Sequence, residues 1–287
     1  MLVPLASRRG FGQAAATASD AAGKTIAAVL AQAARLRGGK AVHPHGVTYG
    51  ARFCVDGTTQ APSGSELLSR RAEWPALVRF SRSLGLPRPL SDLLGMSIRV
   101  LGAYGDERHQ DFLMVTSVDL PVLHHVFLPA GDVQQRPYSS SLPYKSGGQM
   151  FLVGARSHPD SPRPSGADEF DRLDNAANSG RLRFEFLVAP VFERFERLGE
   201  IRIGSRLPGD IDALRFNPFN TGSDLNPVGT LNRWRQEAYL RSQRAWGSAD
   251  EKALAQERAE AQMWAFVESA KSSPVASPPR RRTGASR

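Results

Sequence analysis

The sequence predicts an α+β fold: an antiparallel β-barrel core with flanking helices. Three observations predict it. Six short runs rich in β-branched and aromatic residues, at 49–55, 77–81, 96–101, 111–117, 182–188 and 200–207, are separated by Gly and Pro. Their connections are of hairpin or moderate length, which favours antiparallel neighbours, and a sheet of that many strands removes its edges by closing. Helical sequence flanks the strands on both sides. An Ala-rich amphipathic stretch at 19–37 ends at Gly38-Gly39, and beyond Pro227 the runs 230–246 and 249–271 lack Pro and are rich in Ala, Gln, Glu and Arg.

At 287 residues the chain can bury about three-quarters of the surface its unfolded form exposes, so it needs no metal or disulfide staple. Hydrophobic residues make up 41% and charged residues 23%, the balance of an ordinary globular protein. The single cysteine, Cys54, has no partner for an internal disulfide and cannot build a multi-cysteine metal site. A reducing compartment fits best. No stretch reaches the ~20 apolar residues of a membrane span.

The net charge of +9 is unevenly placed. Lys271, Arg280, Arg281, Arg282 and Arg287 lie in residues 271–287 without any acid, which leaves only +4 on the rest of the chain. The body is nearly balanced and predicts no specific nucleic-acid partner; the tail alone keeps binding to nucleic acid or an anionic surface open. Only five of the 37 basic residues are lysine. Arginine clamps carboxylates through paired hydrogen bonds, so an anionic ligand is in keeping with the composition.

Three segments follow along the chain: a flexible leader at 1–18, a single domain at 19–270, and a disordered basic tail at 271–287. Ser7-Arg8-Arg9-Gly10-Phe11 is similar to the start of a twin-arginine export signal. The apolar stretch after it is broken by Asp20 and Lys24, which favours a cytoplasmic protein. The segment 129–167, dense in Pro, Gly and Ser, reads as a long functional loop.

Three places carry potential chemistry. His43 and His45 sit in the turn Val42-His43-Pro44-His45-Gly46, as ligands, acid/base groups or solvated bystanders. In Leu77-Val78-Arg79-Phe80-Ser81 a strand puts Arg79 and Ser81 on one face and Val78 and Phe80 on the other. In Arg235-Gln236-Glu237-Ala238-Tyr239 the i, i+4 spacing lets the guanidinium reach the phenol oxygen. A cation there favours the phenolate, a hard ligand suited to ferric iron. In isolation, that pair better suits a surface cation packed on a ring.

Taken together and in this order, the three places resemble the haem pocket of the monofunctional catalase superfamily. Val42-His43 with Gly46, Gly50 and Phe53 resembles its distal histidine and following strand, and Val78-Arg79-Phe80-Ser81 is similar to its "VRFS" strand. Asp92 and Gly95 through Val100, then Asp111-Phe112-Leu113, resemble the next two strands. Phe216-Asn217-Pro218-Phe219-Asn220 matches its Phe-x-Pro-x-Asn element, and Arg235 and Tyr239 its proximal Arg-x-x-x-Tyr. The resemblance spans residues 40–246.

The resemblance implies a ferric haem b with Tyr239 as axial ligand, the type used in catalase, and Arg235 holding the phenolate ionised. It implies His43 as distal base, Ser81 orienting its ring, and Lys40 and Arg79 pairing with the propionates, where the family usually has two arginines. Ser242 falls where the family often has Thr. Where catalases have paired asparagines this chain has Val115-Thr116, so the distal amide is missing unless Thr116 substitutes. The gap from His43 to Gly50 is one residue shorter than usual. The chain resembles the small, minimal members, whose chemistry is varied. The implied activity is peroxidase- or catalase-type oxidoreduction of hydrogen peroxide or an organic hydroperoxide, by a monomer or homodimer. The alternatives are a fatty-acid hydroperoxide isomerase, similar to allene oxide synthase, and a non-catalytic haem-binding protein.

Overall fold

The structure, a computed structural model, describes residues 45–58, 61–105, 107–121, 123–228 and 249–272. The leader, the helices expected at 19–37 and 230–246, and all but the first two residues of the tail lie outside the described residues.

Ten strands follow in chain order: β1 (His45–Val55), β2 (Ala72–Arg82), β3 (Leu94–Val100), β4 (Gln110–Thr116), β5 (Tyr138–Ser139), β6 (Tyr144–Ser146), β7 (Gln149–Ser157), β8 (Arg183–Pro190), β9 (Glu196–Arg206) and β10 (Asn226–Pro227). Eight of them, β1-β2-β3-β4-β5-β7-β8-β9, pair antiparallel in that order, and β9 returns to β1, so the barrel is closed. β6 and β10 extend one edge of β7. Among the described residues three helices join them, α1 (Glu66–Ser69), α2 (Glu169–Asn178) and α3 (Ala249–Ser272), with a 3-10 turn at Gly209–Ala213.

All six strands expected from the sequence form. The segment 129–167 is not a long loop: it contains β5, β6 and β7, and β7 is the strand on which β8 pairs. Pro and Gly frame these strands closely, and β7 is buried on both faces from Phe151 to Ala155, so no alternation announces it. Phe195, folded back from the start of β9, covers its outer side against Leu152, Leu187 and Ala189.

Alternation along each strand sorts the barrel's two sides. Val47, Tyr49 and Phe53 of β1, Val78 and Phe80 of β2, and Met96 and Ile98 of β3 point into one cluster with Phe112, Phe184 and Phe186. The rings of Phe53 and Phe186 lie edge-on at 4.8 Å, and those of Phe112 and Phe186 are tilted at 5.3 Å. α2 belongs to the same core. Asp168 caps it by accepting from the amides of Phe170 and Asp171 at 2.8 and 3.0 Å, and Phe170, Leu173, Ala176 and Ala177 form its buried stripe. Glu169 accepts from the buried Arg82 at 2.7 Å and fastens the helix to β2.

A second cluster lies outside the barrel. Leu77, Leu101 and Leu113 meet Ile211, Leu214 and Phe216, and α3 adds Ala259, Met263 and Val267 at i, i+4, i+8 spacing. Gly50 lets α3 approach: a Cβ there would stand 2.4 Å from the Phe266 ring.

His109 ties the end of the barrel to this helix. Its Nδ1 accepts from the Gly102 amide at 3.1 Å, and its ring lies 5.6 Å from that of Trp264. Burial, reinforced by Arg99, holds the imidazole below the ordinary histidine pKa. The unfolded chain therefore takes up this proton first. Its contribution to stability is full above a pH of about 6.5 and is lost as the pH falls below that toward the folded-state value. Denaturant midpoints measured on either side of that pH should show the drop, and His109→Gln should flatten it.

Candidate ligand site on the outer face of the barrel

An eight-stranded barrel is just wide enough for its own side chains, and this interior is filled with rings. A ligand-binding surface must therefore lie outside. The register of β1 to β4 builds one, in three rungs running across the four strands. The first joins Gly46, Ser81, Gly95 and Val115; the second Thr48, Arg79, Ser97 and Leu113; the third Gly50, Leu77, Arg99 and Asp111.

The rungs differ in character. In the first, two glycines and a serine leave a low, nearly flat strip, with Ser81 only 1% exposed and Val115 and Gly46 half-buried. Arg79 lies along that strip: a Cβ on Gly46 would stand 2.6 Å from the guanidinium carbon. Burial pulls the Arg79 pKa down, and Asp212 of the 3-10 turn partly restores it. The third rung is covered, by Phe266 over Gly50 and by an ion pair at its far end.

That pair is bidentate. Arg99 donates from Nε and Nη2 to the two oxygens of Asp111, both at 2.7 Å, with Arg99 7% and Asp111 0% exposed. The remaining capacity of both groups anchors residues 215–220. Arg99 Nη2 also donates to the Arg215 carbonyl at 2.6 Å, and Asp111 accepts from the Asn217 amide at 2.8 Å and from Asn220 Nδ2 at 3.2 Å. The Asp111 amide donates to the Asn220 carbonyl, and the Phe216 ring lies 5.2 Å from the Arg99 guanidinium. The Phe-x-Pro-x-Asn element is thus fixed to the edge of the face.

Of the residues singled out in the sequence, Arg79 and Ser81 come together on this face, one rung apart. Thr116 does not join them. It pairs with Tyr138, on the side of the strand opposite Val115; its hydroxyl donates to the Leu128 carbonyl at 2.7 Å and accepts from the Leu94 amide at 3.2 Å. Its one donor and one of its acceptor lone pairs serve the backbone. His45 is exposed, opposite Arg82, and alternates with the inward Val47 rather than with Gly46. Lys40, His43, Arg235, Tyr239 and Ser242 lie outside the described residues. Among the described residues, no group of three or more His, Cys, Asp or Glu is arranged to hold a metal ion. Thr48, Arg99 and Asp212 went unremarked in the sequence. Parity with Gly46 and Gly50 would have exposed Thr48, whereas Asp212 lies in the short turn Gly209–Ala213, which carries no periodic signal.

Solved structures share this architecture. The chain is similar to a fungal catalase, with a TM-score of 0.56 and 12% identity over 75% of this chain and 61% of that one. It is also similar to catalase A from Saccharomyces cerevisiae, with a TM-score of 0.54 and 14% identity over 71% and 60% of the two chains. For a bacterial catalase the TM-score is 0.53 and the identity 14%, over 75% and 59%. The chain therefore spans about three-fifths of the length of these catalases. No family model matches it, nor does any curated protein. The fold is catalase-like.

Removing Asp111 tests the anchor. Asp111→Ala leaves a buried guanidinium without its counter-charge, which typically costs ~3–5 kcal/mol. Chemical denaturation should show a loss of that order. A loss below ~1 kcal/mol would mean that the pair does not hold residues 215–220.

Proposed function

We propose that the outer face of β1 to β4 is the floor of a haem pocket, and that the protein is a haem-dependent oxidoreductase acting on hydrogen peroxide or organic hydroperoxides. The observation that carries this reading is the rung order itself. A flat strip of Gly46, Ser81 and Gly95 beside the half-buried guanidinium of Arg79 suits a planar apolar group that bears carboxylates. The catalase-like fold and the collinear motifs of the sequence support the same assignment.

In this reading Arg79 and Lys40 would hold the propionates, Tyr239 would supply the iron ligand, and Arg235 would keep its phenol ionised; Ser242 follows that ligand by three residues in the sequence. A bound ferric haem supplies the redox chemistry of peroxide O–O cleavage. The chain's own groups handle protons and position. His43 takes a proton from the peroxide oxygen that approaches the pocket and returns it to the departing one, a role worth typically 10²- to 10⁴-fold in rate. Ser81 orients the His43 ring, which works in only one tautomer.

The proximal assignment is tested by Tyr239→Phe, which keeps the ring and removes the oxygen. Wild-type protein should carry one ferric haem per chain, and the variant should lose haem or change its visible spectrum. Full haem content with an unchanged spectrum would refute the assignment.

Val115 bears on the substrate. It shares the first rung with Ser81, so its apolar side chain stands where a catalase amide would offer a donor to a small peroxide. An apolar group there favours alkyl substituents. Hydrogen peroxide dismutation should be slow relative to turnover of an alkyl or fatty-acid hydroperoxide, and Val115→Asn should shift the ratio toward hydrogen peroxide without altering haem loading. Oxygen release set against hydroperoxide consumption measures it. Rapid oxygen release by the wild type, with no turnover of larger substrates, would overturn this preference.

A further inference from the structure

Asp212 belongs to no motif of the sequence and to no strand of the barrel. The 3-10 turn brings it over the second rung, where its Oδ1 accepts from Thr48 Oγ1 at 2.6 Å. Thr48 is 1% exposed and stands directly opposite Arg79 in the β1–β2 ladder. Opposed residues in such a ladder have Cβ atoms about 4.5–5.5 Å apart on the same face. A carboxylate gripped by Thr48 is therefore beside the side chain of Arg79. The guanidinium in turn has little freedom on its other side, because it lies against the backbone of Gly46.

Electrostatics point the same way. Burial opposes the charge on both groups, raising the Asp212 pKa and lowering that of Arg79, and each partly offsets the other's penalty. Arg206 adds a second, weaker positive influence on Asp212, but its own guanidinium is engaged by Asp174 at 2.7 Å.

We propose that Asp212 is a positioning residue, the resident counter-ion of Arg79, with which any carboxylate-bearing ligand on this face must share or exchange the guanidinium. The inference rests on the haem-pocket reading and extends it. Arg79 already lies in the field of a carboxylate held by the residue opposite it, and Asp212 sets how tightly the face holds a further one. Its presence keeps Arg79 compensated when no ligand is bound and weakens the hold on the ligand that replaces it.

Rates of haem loss from the full-length protein to an excess of a haem scavenger provide the test, measured with ferric haem and with its dimethyl ester, which has no carboxylates. Asp212→Asn keeps an oxygen for the Thr48 hydroxyl and removes the charge. It should slow the loss of haem by about 2- to 5-fold, the scale of one partly screened charge pair, and leave the loss of the ester unchanged. Asp212→Ser, which does not depend on the fit of a carboxamide, should act in the same direction. In an Arg79→Gln background the effect of Asp212→Asn should disappear. An equal change for haem and ester would assign Asp212 a merely structural role, and no change for haem would remove it from the site; either overturns the proposal while leaving the pocket reading intact. Wild-type protein that binds neither compound overturns both.

Discussion

The packed interior of the barrel is the constraint from which the rest follows. Eight strands enclose a space that Phe53, Phe112, Phe184 and Phe186 fill with their rings, so no ligand can enter it. Chemistry is thereby confined to the outside. Because successive residues of a strand face opposite ways, the apolar residues that fill the interior leave every second position of β1 to β4 free for another purpose. Gly46, Thr48, Arg79, Ser81 and Ser97 occupy those positions, and their small or polar character would be wasteful on a face that only had to meet water.

Two arginines on adjacent strands of this face show how burial separates support from binding. Arg99 is gripped bidentately by Asp111, and the pair's coulombic attraction and hydrogen bonds raise its pKa against the cost of burial. For Arg79 burial prevails and lowers its pKa, and the charge of Asp212 offsets that only in part. The first arginine is a fastener whose bonds are directed at protein atoms.

The floor of the site was legible in the sequence because a strand's parity is fixed by counting. Val78-Arg79-Phe80-Ser81 assigned its own faces, and the same count along Gly46 to Phe53 separates Gly46, Thr48 and Gly50 from Val47, Tyr49 and Phe53. The same count puts Thr116, one residue beyond Val115, on the core side, where backbone groups engage its hydroxyl. β7 escaped notice because a strand buried on both faces has no alternation, and β5 and β6 are too short to show a period. Asp212 was invisible in principle, since its partner Thr48 lies 164 positions away and only the closed barrel brings them together.

The three-rung face also has a history in time. Its four strands are consecutive hairpins complete by Thr116, whereas the side chains that cover its third rung come from Ile211 onward and from α3 near Phe266. At synthesis rates of roughly 5–20 residues per second, about 8 to 30 s separate the emergence of the floor from that of its cover. Until β9 and the 3-10 turn emerge, Leu77 and Leu113 are uncovered and the outer edge of β1 is unpaired. A nascent chain in this state offers both a sticky face and an open strand, the two features that invite association with other chains. The polar and glycine-rich first rung limits that hazard, because this third of the prematurely exposed face has Val115 as its one apolar side chain. The composition that suits a flat ligand in the finished protein thus also protects the unfinished one.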